Sequence, residues 1–341
     1  MLRDIRVRGT FREPQFADLG LEHVPFDHLT GSETVERPLL DAIAEGSSAV
    51  VTGAPGGGKS SVLAWACRNL PADHLPIRVP VVGMDDPSDP AVLGSVALGA
   101  ALEAARAGSV ELEDRQAADV EHARADDVLS RPRGSGLRGR VGGGPVPAEV
   151  SMELGSLEAD YARGVQPIDR LHGFDRLLGI LSHHGLVPVF VLEDTEAVLG
   201  VGADDGARDR FFTRSLMMML REVDTPTVVA VQRRYTEVAA YSRLRPHALE
   251  VAIPVLDGRI EDGLVAILAK RLEFFAIDAT VEEIVAREAM PALARFYTDK
   301  DGSVRHVLAA LDVAVATAVD NGDPRLEVGH VRIGIGDWQD R

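Results

Sequence analysis

Residues 49–66, AVVTGAPGGGKSSVLAWA, constrain the fold of this chain more than any other stretch. The apolar run Ala49–Thr52 reads as a buried strand. It breaks into Gly53-Ala54-Pro55-Gly56-Gly57-Gly58-Lys59-Ser60 and resumes with helical character from Ser61. The spacing is G-x-x-x-x-G-K-S, with a strand before and a helix after, the context that gives this motif its meaning. Glycines let consecutive backbone N–H groups turn toward one point, and the positive end of the new helix adds to the field there, so a polyphosphate is the natural guest. Lys59 is placed to reach the β and γ phosphates, and Ser60 to offer its hydroxyl to Mg²⁺. The cofactor-binding set read from this stretch is Gly53, Pro55, Gly56, Gly57, Gly58, Lys59, Ser60 and Ser61, with Mg-ATP as the expected occupant.

The rest of the composition fits a body built around such a loop. The 341 residues suffice for two cores, 45% are hydrophobic, and only 5% are aromatic, so small aliphatic side chains fill the interior. An α/β fold is the better match. A formal charge of -17 argues against a broad surface gripping nucleic acid, because phosphate neutralisation needs clustered Lys and Arg. Cys67 is the only cysteine, which leaves no disulfide framework and no cysteine-rich metal site. The first residues lack the apolar core of a signal peptide, and no apolar run is long enough to span a bilayer, so the expected location is the cytoplasm.

Further along, Val187–Leu192 is a continuous apolar strand ending in Glu193-Asp194-Thr195-Glu196. Strands buried on both faces read this way in parallel sheets, whose ligand edge lies beyond the carboxyl ends. In P-loop ATPases the first acid there organises Mg²⁺ and the next polarises the attacking water. Glu193 takes the metal position beside Ser60 and Asp194 the water position, an order opposite to the usual Asp-Glu, so slow turnover is expected; Glu196 is a substitute base. A second buried strand, Thr227–Gln232, ends in an amide suited to hydrogen-bonding the γ phosphate or the water. Arg243, on the loop before the strand Leu249–Ile253, is placed to reach the phosphate of a neighbouring subunit. A further strand is expected over Ile77–Val82 and a small-residue helix over Ala91–Ala107.

Residues 1–20, charged and ending in a Pro-containing stretch, suggest a poorly ordered arm or an edge contact, with Arg3, Arg6, Arg8 and Arg12 able to meet a partner; a solvated tail is the expectation. Between 108 and 165 lies an insertion whose glycine-rich part carries Arg131, Arg133, Arg138 and Arg140 without an acid, a flexible surface segment or a strand-tracking or partner-binding loop. From Asp257 the pattern turns helical, with helices expected at 259–274, 280–296, 303–319 and 327–334. Arg305, in the first turn of the third, is placed to fold onto a bound nucleotide. The implied division is an arm over 1–20, a nucleotide-binding base over 21–255 and a helical domain over 256–341.

The ordered set resembles the AAA+ ATPases of the initiator clade, the origin-recognition and replication-licensing group. It comprises the P-loop, the acidic and polar strand ends, Ser242-Arg243 before a strand, Ile267-Leu268-x-x-Arg271-Leu272 and Gly302-x-x-Arg305. The resemblance implies a P-loop AAA+ parallel-sheet domain followed by a small α-helical lid. It also implies Arg243 as arginine finger, Gln232 as sensor 1 and Arg305 as sensor 2. After the lid, the winged-helix domain with which initiators grip DNA is not expected. The expected function is an ATPase that binds ATP or ADP, forms a homo-oligomer through Arg243 and recruits or activates a partner protein. The alternatives are a DNA-engaging AAA+ ATPase of the transposition or replication-regulator type, using the arginines of 131–140, and a nucleotide-dependent scaffold without useful turnover.

Overall fold

The computed structural model describes residues 1–12, 14–31, 33–82, 84, 86–113, 169–193, 195, 199 and 205–339. The chain starts with four short helices, α1 (Leu2–Arg8), α2 (Phe16–Glu22), α3 (Phe26–Thr30) and α4 (Glu36–Ala44). Strand β1 (Ala49–Gly53) then leads through the glycine loop into α5 (Lys59–Asn69). Next come β2 (His74–Pro80), α6 (Pro90–Glu113), α7 (Asp169–His183), β3 (Val187–Glu193), α8 (Asp205–Arg210), α9 (Met217–Arg221), β4 (Thr227–Gln232) and β5 (Leu249–Ala252). The C-terminal part is helical: α10 (Ile260–Phe274), α11 (Val281–Ile284), α12 (Met290–Asp299), α13 (Val304–Asn321) and α14 (Val328–Gln339). No helix among the described residues is long and apolar enough to cross a membrane.

The five strands form one parallel sheet in the order β2-β3-β4-β1-β5, which makes this an α/β fold. β1 lies between β4 and β5, with Gly53 opposite Gln232 and Val51 opposite both Ala230 and Val251. Strand alternation divides the apolar residues between two cores. On one face Ala49, Val51, Val191, Val228 and Ala230 meet α5 and the C-terminal helices. On the other, Val50, Phe190, Leu192, Val229 and Val231 pack with α6, α7 and Phe211–Phe212.

Several sequence expectations shift. The strand expected at Ile77–Val82 runs instead from His74 to Pro80, with Pro76 and Pro80 inside it; β2 is an edge strand, where a missing N–H is tolerated. The helix expected at 280–296 is broken: Val285 forms a parallel bridge with Leu326, and Pro291 opens a new helix, α12, where its absent N–H costs nothing. Between α8 and α9 the segment Phe211–Leu216 winds as a π-helix. The largest correction concerns residues 1–12, which are not a solvated arm. Leu2, Ile5 and Phe11 are buried, and Arg6 pairs with Asp320 of α13 at 2.6 Å. Apolar residues spaced among the arginines supply the burial, and the charged groups lie along the rim of the contact.

Candidate nucleotide-binding site

The loop between β1 and α5 closes on itself through Gly57 N–H to Ala54 O at 3.1 Å. Gly56 and Gly58 adopt φ of 69° and 106°, values that only glycine adopts without strain. Lys59 is buried, and its Nζ donates to Ala54 O at 2.9 Å and Gly53 O at 3.3 Å. A cavity of about 370 Å³ opens beside the loop, lined on one side by Gly56, Gly57, Gly58, Lys59, Ser60 and Ser61. Val304, Arg305, Leu308 and Asp312 of α13 form the facing wall. Of the remaining loop residues, Gly53 closes β1 and Pro55 is exposed.

The start of α13 rests directly on the loop. Val304 N–H and Arg305 N–H both approach Gly56 O, at 3.1 and 3.4 Å. A Cβ on Gly56 would run into Ser303 Oγ and come within 2.8 Å of Arg305 Cβ, so this glycine is required for the approach as well as for its φ. Arg305, Lys59 and Ser60 thus border a single space, although the first comes from the opposite end of the chain.

The strand-end residues are arranged differently from one another. Glu193 is buried and its carboxylate is ion-paired with Arg78 of β2, whose guanidinium also lies 4.5 Å from the centre of the Phe16 ring. A metal role for Glu193 therefore requires this pair to open. Asp194 and Glu196 lie outside the described residues, as do Arg131, Arg133, Arg138 and Arg140. Thr195 lines the cavity and donates to Ala230 O at 2.6 Å. Gln232 ends β4 beside Gly53; it is 4% exposed, and among the described residues its Oε1 has no hydrogen-bond partner. Such an orphaned acceptor at the edge of a polyphosphate loop is what a γ phosphate-bound water or metal-bound water would satisfy. Arg243 lies in a short 3₁₀ turn, Tyr241–Arg243; it is exposed, outside its own cavity lining, and forms no ion pair with a described residue.

Two parts of the site carry no sequence signal. His23 is buried, with Nδ1 2.9 Å from Ser61 Oγ and Nε2 2.8 Å from Glu36 Oε1; the same carboxylate oxygen accepts from Phe26 N–H at 2.8 Å. This chain ties α4 to the first turn of α5. Burial alone would raise the Glu36 carboxyl, but the hydrogen bonds from His23 and Phe26 outweigh it and hold it below the usual carboxylate range. Its contribution to stability is therefore fully present above the unfolded value of about 4.3 and is lost as the pH falls through the lower folded value. Glu36→Gln is expected to cost about 1–2 kcal/mol in urea unfolding at pH 7, with the gap from the parent protein narrowing below about pH 4.

The other is the N-terminal segment, which contributes Phe11 and Arg12 to the cavity. Arg271 of α10 holds it there. The guanidinium is buried and donates from Nε to Thr10 O at 2.7 Å and from Nη2 to Arg12 O at 2.8 Å, while Nη1 lies 2.5 Å from Glu22 Oε2.

No protein-family model and no curated protein matches this sequence. Solved structures do. The Aeropyrum pernix ORC2 protein in its ADPNP-ADP complexes is similar at 14% identity and a TM-score of 0.48, over 89% of this chain and 65% of that one. The ADP form of the same protein gives 15% identity and 0.48, over 88% and 66%. A chain of Drosophila ORC bound to DNA gives 13% identity and 0.44, over 96% and 64%. This chain thus spans slightly less than two thirds of the length of those chains, and the likeness is coarse.

Proposed function

We propose that this chain is an ATP-binding ATPase of AAA+ type, akin to the initiator clade. In this reading, bound nucleotide governs the association of copies through Arg243, and the assembled form recruits or activates a partner protein. The observation that carries the reading is the cavity closed by the glycine loop on one side and the start of α13 on the other, joined at Gly56 O. A triphosphate seated there touches Lys59 and Arg305 together, so its loss changes how α13 sits on the loop.

In use, the loop N–H groups and Lys59 hold the phosphates. The Ser60 hydroxyl would hold Mg²⁺, which needs few protein ligands when phosphates and water supply the rest. The cation supplies charge neutralisation for phosphoryl transfer. Gln232 accepts from a water through its unpaired Oε1, and Arg305 reports occupancy to the helical domain. Asp194 acts on the attacking water. Turnover is slow, because the Arg78 pair keeps Glu193 engaged and the acids stand in the order Glu-Asp.

Mass measurement in the presence of ADP and of a slowly hydrolysed ATP analogue tests the reading. Assembly with the analogue alone, lost in Arg243→Ala with nucleotide affinity unchanged within about threefold, is the expected result, since an arginine acting in trans adds nothing to its own site. A monomer under every condition would refute the switch.

A further inference from the structure

The polar contacts that hold residues 1–12 run to the helical part of the chain. Helix α1 packs on α13, and Leu2 and Ile5 share a core with Leu311 and Val315. At the rim Arg6 pairs with Asp320 at 2.6 Å, and Arg8 donates to the carbonyl of Phe275 at the end of α10. Gly9, at a φ of 65°, then turns the chain and donates its N–H back to Arg6 O at 3.3 Å. The turn delivers Thr10 and Arg12 to the guanidinium of Arg271.

The same segment borders the candidate nucleotide site. Phe11, Arg12 and Pro14 share the cavity lining with loop residues 56–61, and Arg12 Nε stands 3.9 Å from Asp312 in the α13 wall. Residues 10–12 lie in turns, outside any helix or strand. Side-chain contacts therefore fix this wall more than backbone ladders do, and such segments open at lower cost than a core element. Arg271 supplies the central fastening. Its guanidinium holds the carbonyls of Thr10 and Arg12 and also faces Glu22 of α2, so one side chain of α10 joins the segment to both parts of the molecule.

We infer that residues 10–12 are a strap that controls nucleotide exchange. The nucleotide enters and leaves when the strap lifts from α10 and α13, and Arg271 is the positioning residue that keeps it down. The inference rests on the nucleotide reading above and adds to it what limits the rate of exchange. Release of product through a moving segment sets the pace of many enzymes, so the strap is also a place where turnover is held back.

The test is stopped-flow binding and release of N-methylanthraniloyl-ADP with Mg²⁺ on the full chain. Arg6→Glu sets two acids against each other at the rim, and neither Arg6 nor Asp320 lines the cavity. Association and dissociation are both expected to quicken by about threefold to fivefold, the scale of an exposed ion pair turned repulsive, while affinity changes by less than about threefold. Adding Asp320→Arg to that variant restores the pair with its charges exchanged and should return both rates to within about twofold of the parent. Arg271→Lys keeps a charge beside Glu22 but loses the planar fork that serves two carbonyls, and should quicken exchange by about tenfold or more. Rates that ignore Arg6→Glu, slower association, lost affinity with unchanged association, or failure of the exchanged pair to restore the parent rates would overturn the strap while leaving nucleotide binding in place. A parent protein that binds no nucleotide would overturn both readings. Arg6 and Asp320 lie at the surface, so this pair decides the matter even where Arg271→Lys does not fold.

Discussion

Lys59→Met is expected to weaken Mg-ATP binding by at least about 100-fold, measured by calorimetry, with the fold retained. The ammonium is buried between the carbonyls of Gly53 and Ala54, at the base of the loop that curls around the phosphates. It is therefore held within reach of the β and γ phosphates before they arrive, and little side-chain entropy remains to be lost on binding. Charge-assisted bonds to phosphate are about twice as strong as neutral ones, and two such oxygens would be served. Methionine fills the same channel without charge, so the change separates phosphate recognition from packing. An unaltered affinity would mean that the loop does not hold a polyphosphate, and the proposed switch would lose its trigger.

Gly334→Ala is expected to destabilise the helical part by about 3 kcal/mol or more, read as a lowered melting temperature. Gly334 faces α13 where the two helices touch backbone to backbone: an added Cβ would strike Ala310 O and come within 3.1 Å of the Ala310 carbonyl carbon and 3.2 Å of Ala314 N. Those atoms belong to a hydrogen-bonded helix and cannot move aside separately. Gly336, two residues on in the same helix, has no atom within 4 Å of such a Cβ. Gly336→Ala should accordingly stabilise by about 0.5–1 kcal/mol, because alanine is the better helix former where nothing obstructs it. Equal effects at the two positions would show that α13 and α14 do not cross as described. Since α13 also carries Val304 and Arg305 onto Gly56, the destabilised variant should lose nucleotide affinity in parallel with its lid packing.

The parallel sheet was readable in the chain because its strands are short runs of Val, Ile and Leu that end in turn residues, and a strand buried on both faces needs nothing else to declare itself. Boundaries drifted where the neighbours of an element decide its extent. β2 tolerates two prolines only because it lies at the sheet edge, and the helix at 280 stops because Val285 finds Leu326. The arm misled for a related reason: Leu2, Ile5 and Phe11 are too few and too widely spaced among arginines to show a periodic face, yet the helix they pack against was already present.

Local sequence by itself determined the phosphate loop. Its geometry needs only glycines at positive φ, a lysine and a following helix, all within a dozen residues, and covalent adjacency brings them together whatever the rest of the chain does. Tertiary structure alone decided what surrounds that loop. Thr10 and Arg271 are 261 positions apart, and Arg78 meets Glu193 only because β2 pairs with β3. Contacts of that range are set by which apolar faces bury one another, so no spacing in the chain announces that Glu193 is engaged by Arg78 or Glu22 by Arg271.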